Sequence, residues 1–137
     1  MSGIFNGQKV ESFGVNIGLG TDVGASGMDG IVQQIRMAEI VSKMRAISQS
    51  ESKVYTTYRD GYHWATLGGA RALGIDHLVG SLEIGKRFDA IIADLSSMPA
   101  IYIEDETPEV QFERFIRTGS EKHLKAVIVD GNYRITN

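Results

Sequence analysis

With 137 residues, 42% of them hydrophobic and 23% charged, the chain has the size and make-up of one globular domain with a sizeable core. A net charge of -3, with no basic run longer than a pair, excludes the footprint of a nucleic-acid or anionic-membrane binder, so neither partner is expected. The absence of cysteine removes disulfides, thiolate nucleophiles and cysteine-based zinc sites, and with no signal-like start and no apolar run of transmembrane length the expectation is a cytoplasmic protein.

In chain order, the first informative stretch is Val15-Asn16-Ile17-Gly18-Leu19-Gly20-Thr21-Asp22-Val23. Bulky residues alternate with small ones, which predicts a strand over about 15–21 with Val15, Ile17 and Leu19 on one face. Asn16, Gly18, Gly20 and Asp22 then share the slim face, and Asp22 projects at the strand's C-terminal end. Active sites of barrels and sheets built from βα units gather at that end. A turn or helix-capping aspartate fits the same local pattern, and the pattern alone leaves both readings open.

Residues 29–47 read as a helix, with Asp29 as cap and Ile31, Ile35, Ala38 and Val41 at helical spacing. A polar break over 48–53 precedes a second helix, 57–73, striped by Tyr58, Tyr62, Ala65, Gly69 and Ala72 and ended by Gly74. Gly68 and Gly69 weaken its propensity, which suggests that a neighbouring element packs closely there. From Val79 the texture changes to strand, glycine turn, strand, closing on the apolar run Ala90 to Ala93 and Asp94. Residues 98–106 connect this to a helix begun by Thr107-Pro108-Glu109, with Phe112, Phe115 and Ile116 as its buried face and Gly119 as its stop. Last, residues 125–129 and 132–135 flank Asp130-Gly131, a strong hairpin signal.

Three separated motifs fall in the order of one family. Gly18-Leu19-Gly20-Thr21-Asp22-Val23, then the run Trp64 to Gly74, then Val79 to Lys86 with Phe88-Asp89-Ala90, resemble the C-terminal portion of the metal-dependent amidohydrolases. The Thr-Asp-Val form, the Ala-Thr-Leu-Gly-Gly-Ala helix, the opening Ser2-Gly3-Ile4-Phe5 and the closing helix and hairpin are similar to the guanine deaminase branch. The resemblance implies an α/β fold: the last strand and following helices of a TIM-type (β/α)8 barrel over 1–74, and part of the flanking composite β-sandwich over 75–137. It also implies a zinc-dependent hydrolase that converts guanine, a small-molecule purine substrate, to xanthine and ammonia, homodimeric when complete. Asp22 matches the family's metal ligand and proton shuttle, so it is both the catalytic and the metal candidate; no residue is assigned to substrate binding.

The departures are as informative. Such sites use several histidines, including a His-x-His pair, and a glutamate, whereas this chain has three histidines, His63, His77 and His123, none so spaced. They read as ordinary surface histidines. A full barrel takes about 250 residues, so the chain is expected to be a C-terminal fragment, inactive alone. Two alternatives stand beside it: a segment of another amidohydrolase acting on an aminopurine, pterin or triazine, and a non-catalytic interaction module. Other constellations weigh little. Gly18, Gly20 and Gly24 lack the spacing of a phosphate loop. Ser26, Ser96 and Ser97 are loop serines without a nucleophile elbow. Tyr58, Tyr62 and Trp64 read as core rather than base-stacking residues. Turn or edge roles suffice for Asp89 and Asp94.

Overall fold

Backbone contacts gather the chain into two units, residues 1–76 and 77–137. The computed structural model describes residues 4–25, 27–28, 30–49, 55–96, 98 and 106–136. The expected cap Asp29, the serines Ser26 and Ser97, and most of the 48–53 and 98–106 connections lie outside the described residues.

The first unit opens with α1, Gly7–Ser12, whose free N-terminal amides are met by Asn6: its Oδ1 accepts from Lys9 N at 3.1 Å. Helix α2 spans Ile31–Ser48; Gly30 is its N-cap and offers no side-chain acceptor. Of the expected stripe, Ile35 is buried, Ala38 and Val41 are half-buried and Ile31 is exposed. The buried residues are Ile35, Glu39, Ser42 and Arg45, while Ile40, Met44 and Ile47 are 50%, 63% and 81% exposed. Partners make the polar burial possible: Lys43 Nζ pairs with Glu39, Arg45 donates to Gln49 Oε1 at 3.1 Å, and Ser42 Oγ accepts from Thr56 N at 2.9 Å.

The single helix expected over 57–73 is two. Helix α3, Tyr58–Ala65, starts at a capping box in which Thr57 Oγ1 accepts from Asp60 N and Asp60 Oδ2 accepts from Thr57 N. Thr66 leaves helical geometry at φ -125°, ψ -100°, and α4, Leu67–Ala72, follows. Buried residues are Tyr58, Gly61, Trp64, Gly68 and Ala70, and Tyr62 faces outward. Gly74, at φ 71°, ends α4 as its position suggests.

In the second unit the stretch 79–86 forms turns, not the expected strand. Gly80 and Gly85 take φ 95° and 96° and curl it, so that its polar groups close locally: Lys86 Nζ donates to Ser81 Oγ at 2.8 Å and pairs with Glu83 at 3.0 Å. The regular part is an antiparallel sheet in the order β1-β2-β3, with β1 Ala90–Ala93, β2 Leu124–Val129 and β3 Asn132–Thr136. Asp130 and Gly131 join β2 to β3 at φ 53° and 74°, two left-handed residues in succession, as the two-residue turn matched to strand twist requires. Helix α5, Pro108–Thr118, begins as read: Thr107 Oγ1 accepts from Val110 N, Pro108 fills the first position and Glu109 the first turn. Phe115 and Ile116 are buried, as are Ala126 and Ile128 of β2 and Met98. Gly119 caps the end of α5 in extended backbone, φ -65°, ψ 156°, and only glycine fits there: a Cβ would lie 2.5 Å from Phe115 Cδ2. Among the described residues no helix is long and apolar enough to cross a membrane.

Candidate functional site

Residues 15–22 carry no strand ladder, which corrects the strand expected there. A strand needs backbone partners on a neighbouring strand; here Leu19 N instead donates to the Trp64 carbonyl of α3, at 3.3 Å. What holds it is contact with α3 and α4. Ile17 is 7% exposed, whereas Val15 is 51% exposed, so the predicted bulky face is buried only at its centre.

Glycines make the contact close. A Cβ at Gly68 would lie 2.7 Å from the Ile17 carbonyl oxygen and 3.0 Å from that of His63; one at Gly18 would lie 3.1 Å from Gly69 Cα. The close packing that Gly68 and Gly69 suggested is thus present, and its partner is the segment leading to Asp22. Trp64, 3% exposed, anchors the same region from its other end. Gly7 of α1 lies on the indole, where a Cβ would approach Trp64 Cη2 to 2.4 Å, and the indole Nε1 donates to Glu11 Oε1 at 3.2 Å.

Asp22 itself is exposed and lies in no helix. It adopts φ 48°, so the alternation that placed it on the Gly18 and Gly20 face ends at this residue. Left-handed backbone is uncommon outside glycine, although aspartate is among the residues that tolerate it. The Asp22 carbonyl then accepts from Ala25 N at 2.9 Å across a turn whose third residue, Gly24, has φ 96°.

The histidines are dispersed. His63 is half-buried within α3, His77 sits exposed in a turn, and His123 ends a 3-10 helix, Glu121–His123, where its Nδ1 accepts from Ser120 N at 3.0 Å. Among the described residues no group of three or more His, Cys, Asp or Glu side chains is placed to hold a metal. Zinc sites take three or four protein ligands. Asp22 is a single carboxylate, so the described residues do not by themselves fit a zinc ion. The second unit carries an open depression of about 540 Å³ lined by Asp94, Ser96, Gln111, Arg114 and Lys125 among others. Hydrogen bonds from the Ser96 hydroxyl and backbone N–H hold the Asp94 carboxyl below its usual range, with smaller help from Lys125 and His123. Asp89 has a turn role: its Oδ1 accepts from Asp130 N at 2.7 Å.

The sequence profile of the Amidohydrolase family matches residues 3–133, and the chain belongs to that family. Within it the chain is 33% identical over 136 residues to guanine deaminase of Mus musculus and 28% identical over 133 residues to that of Escherichia coli, in each case over 95% of this chain. It spans 30% and 29% of those two relatives. Among solved structures, guanine deaminase from C. acetobutylicum with guanine bound in its active site superposes with a TM-score of 0.83 at 27% identity, over 98% of this chain and 30% of that one. An adenosine deaminase from Xanthomonas campestris with bound zinc superposes at 0.72, also with 27% identity, over 93% of this chain and 27% of that one.

Proposed function

We propose that this chain is the closing segment of a guanine deaminase, contributing Asp22 to an active site whose remaining groups come from outside it. The observation that carries this reading is the match of 95% of this chain to about 30% of guanine deaminases, together with the position of Asp22. The one carboxylate that fits the family's pattern stands exposed, left-handed, at the end of a segment bedded on α3 and α4. In this reading residues 1–74 are the last barrel strand and its helices, and 75–137 belong to the flanking β domain. The outward-facing Ile40, Met44 and Ile47 of α2 support it, since a larger protein would cover them.

The reaction is hydrolytic: water adds to the ring carbon bearing guanine's amino group, the carbon–nitrogen bond breaks, and ammonia leaves xanthine behind. Bound zinc, when the site is complete, supplies a water of lowered pKa. Asp22 is assigned as one ligand and as acceptor of the proton which that water loses. The isolated chain has too few ligands for this and is proposed to be inactive.

The test replaces the matching portion of E. coli guanine deaminase with this chain and measures ammonia release from guanine and from adenosine. Turnover of guanine is expected, and Asp22→Asn is expected to lower it by about 10²–10⁴-fold, the usual weight of a positioned proton acceptor, with thermal unfolding unchanged. A folded hybrid that deaminates adenosine but not guanine overturns the substrate; one that deaminates neither overturns the enzyme-segment reading. Retained turnover in Asp22→Asn removes Asp22 from its role.

A further inference from the structure

We infer that the glycine contact between the Asp22 segment and α4, with Trp64 at its head, is a positioning device that sets where the Asp22 carboxylate stands. The inference rests on the role assigned to Asp22 above and adds Gly18, Gly68 and Trp64 as positioning residues.

Among the described residues no strand pairs with the segment from Val15 to Asp22, so its placement there depends on what lies beneath. Beneath it is backbone. Ile17 O rests over Gly68 and Gly18 Cα over Gly69, at separations that leave no space for a methyl group on Gly68 and room for one on Gly18 only if Gly69 shifts by a few tenths of an ångström. The break at Thr66 is part of the arrangement, because leaving helical geometry there redirects the chain between Trp64 and Gly68. It leaves the Trp64 carbonyl to accept from Leu19 N, while the Trp64 indole grips α1 through Gly7 and Glu11. One residue thus holds the polypeptide on both sides of the turn at Phe13 and Gly14.

Three residues separate Gly18 from Asp22, too few to absorb a shift without moving the carboxylate. Helix propensity alone favours alanine over glycine at position 68, so any defect in that variant must come from the contact. A misplacement of about 1 Å at a reacting group costs on the order of 10²-fold in rate. Gly20 provides the contrast, since a Cβ there would meet nothing within 4 Å.

The experiment uses the hybrid described above, comparing Gly18→Ala, Gly68→Ala and Gly20→Ala by steady-state kinetics and by amide hydrogen exchange. Gly18→Ala and Gly68→Ala are expected to lower kcat per folded molecule by about 10- to 100-fold, with KM for guanine within about twofold. Both should speed exchange at the Leu19 amide, and Gly20→Ala should leave that amide protected. If kcat per folded molecule is unchanged in both variants, or falls only with the folded fraction, the glycines pack without positioning and the inference is overturned. If Asp22→Asn retains turnover, the functional reading fails instead, a different outcome of the same set. Should the hybrid turn over no substrate, exchange at Leu19 still decides the contact: unaltered protection in Gly68→Ala overturns it.

Discussion

Asp22 and Asp130 share an uncommon backbone, with φ of 48° and 53°, and reach it by different routes. Asp130 stands in a two-residue turn whose other member, Gly131, is also left-handed, between strands that bond to each other on either side. The turn is closed locally, and the segment before β1 braces it: Asp130 N donates to Asp89 Oδ1 at 2.7 Å, Gly131 N donates to the Phe88 carbonyl at 2.9 Å, and Arg87 pairs with the Asp130 carboxylate at 3.9 Å. Asp22 has no such frame. Its segment is bedded on Trp64, Gly68 and Gly69, some fifty positions further along the chain. The comparison teaches that a like backbone strain is framed by paired strands in one unit and by packing against helices in the other. Under the proposed function, packing against helices is what places the catalytic carboxylate.

The contrast is sharpest if each support is removed separately. Trp64→Ala takes a buried indole from beneath α1 and is expected to destabilise the first unit by about 3–5 kcal/mol in urea unfolding. Exchange at Leu19 should accelerate while amides of β2 and β3 keep their protection. Equal loss of protection in the hairpin would mean that the two supports are not independent. Gly131→Ala is the converse test. A side chain at φ 74° costs about 1–2 kcal/mol, read as faster exchange in β2 and β3 with Leu19 untouched. The smallest effect is expected at Asp94. Its folded pKa is lowered chiefly by the Ser96 hydroxyl, so its contribution to stability is present above the ordinary carboxylate value and is lost as pH falls through the folded one, below about pH 4. Ser96→Ala should move the Asp94 titration upward in an NMR pH series; an unmoved titration removes the hydroxyl as its cause.

The parts of the fold legible in the sequence are those whose cause is local. Thr107-Pro108-Glu109 supplies acceptor, fixed φ and charge at one helix start, and α5 begins there. Asp130-Gly131 supplies the left-handed pair, and the hairpin closes there. Gly119 ended α5 as expected, although what requires glycine there is the Phe115 ring rather than backbone freedom. The misreadings share the opposite property. Glu39, Ser42 and Arg45 are buried because Lys43, Gln49 and Thr56 are positioned to meet them, which a hydrophobic stripe cannot register. The turns over 79–86 win over strand pattern because Lys86 folds back on Ser81 and Glu83.

Asp22, on which the proposed function rests, is singled out in the sequence by its place after alternating small residues and by the family motif around it. Its left-handed backbone and the bed beneath its segment are not. The glycines at 68 and 69 announced a close neighbour without naming it, because a missing side chain marks space but not what fills it. By itself the sequence determined the family, the hairpin and the capped helix. Tertiary structure decided the break at Thr66, the polar core of α2 and the setting of Asp22. Each of these depends on atoms brought together from far apart in the chain, whose contact energy exists only once the chain has folded.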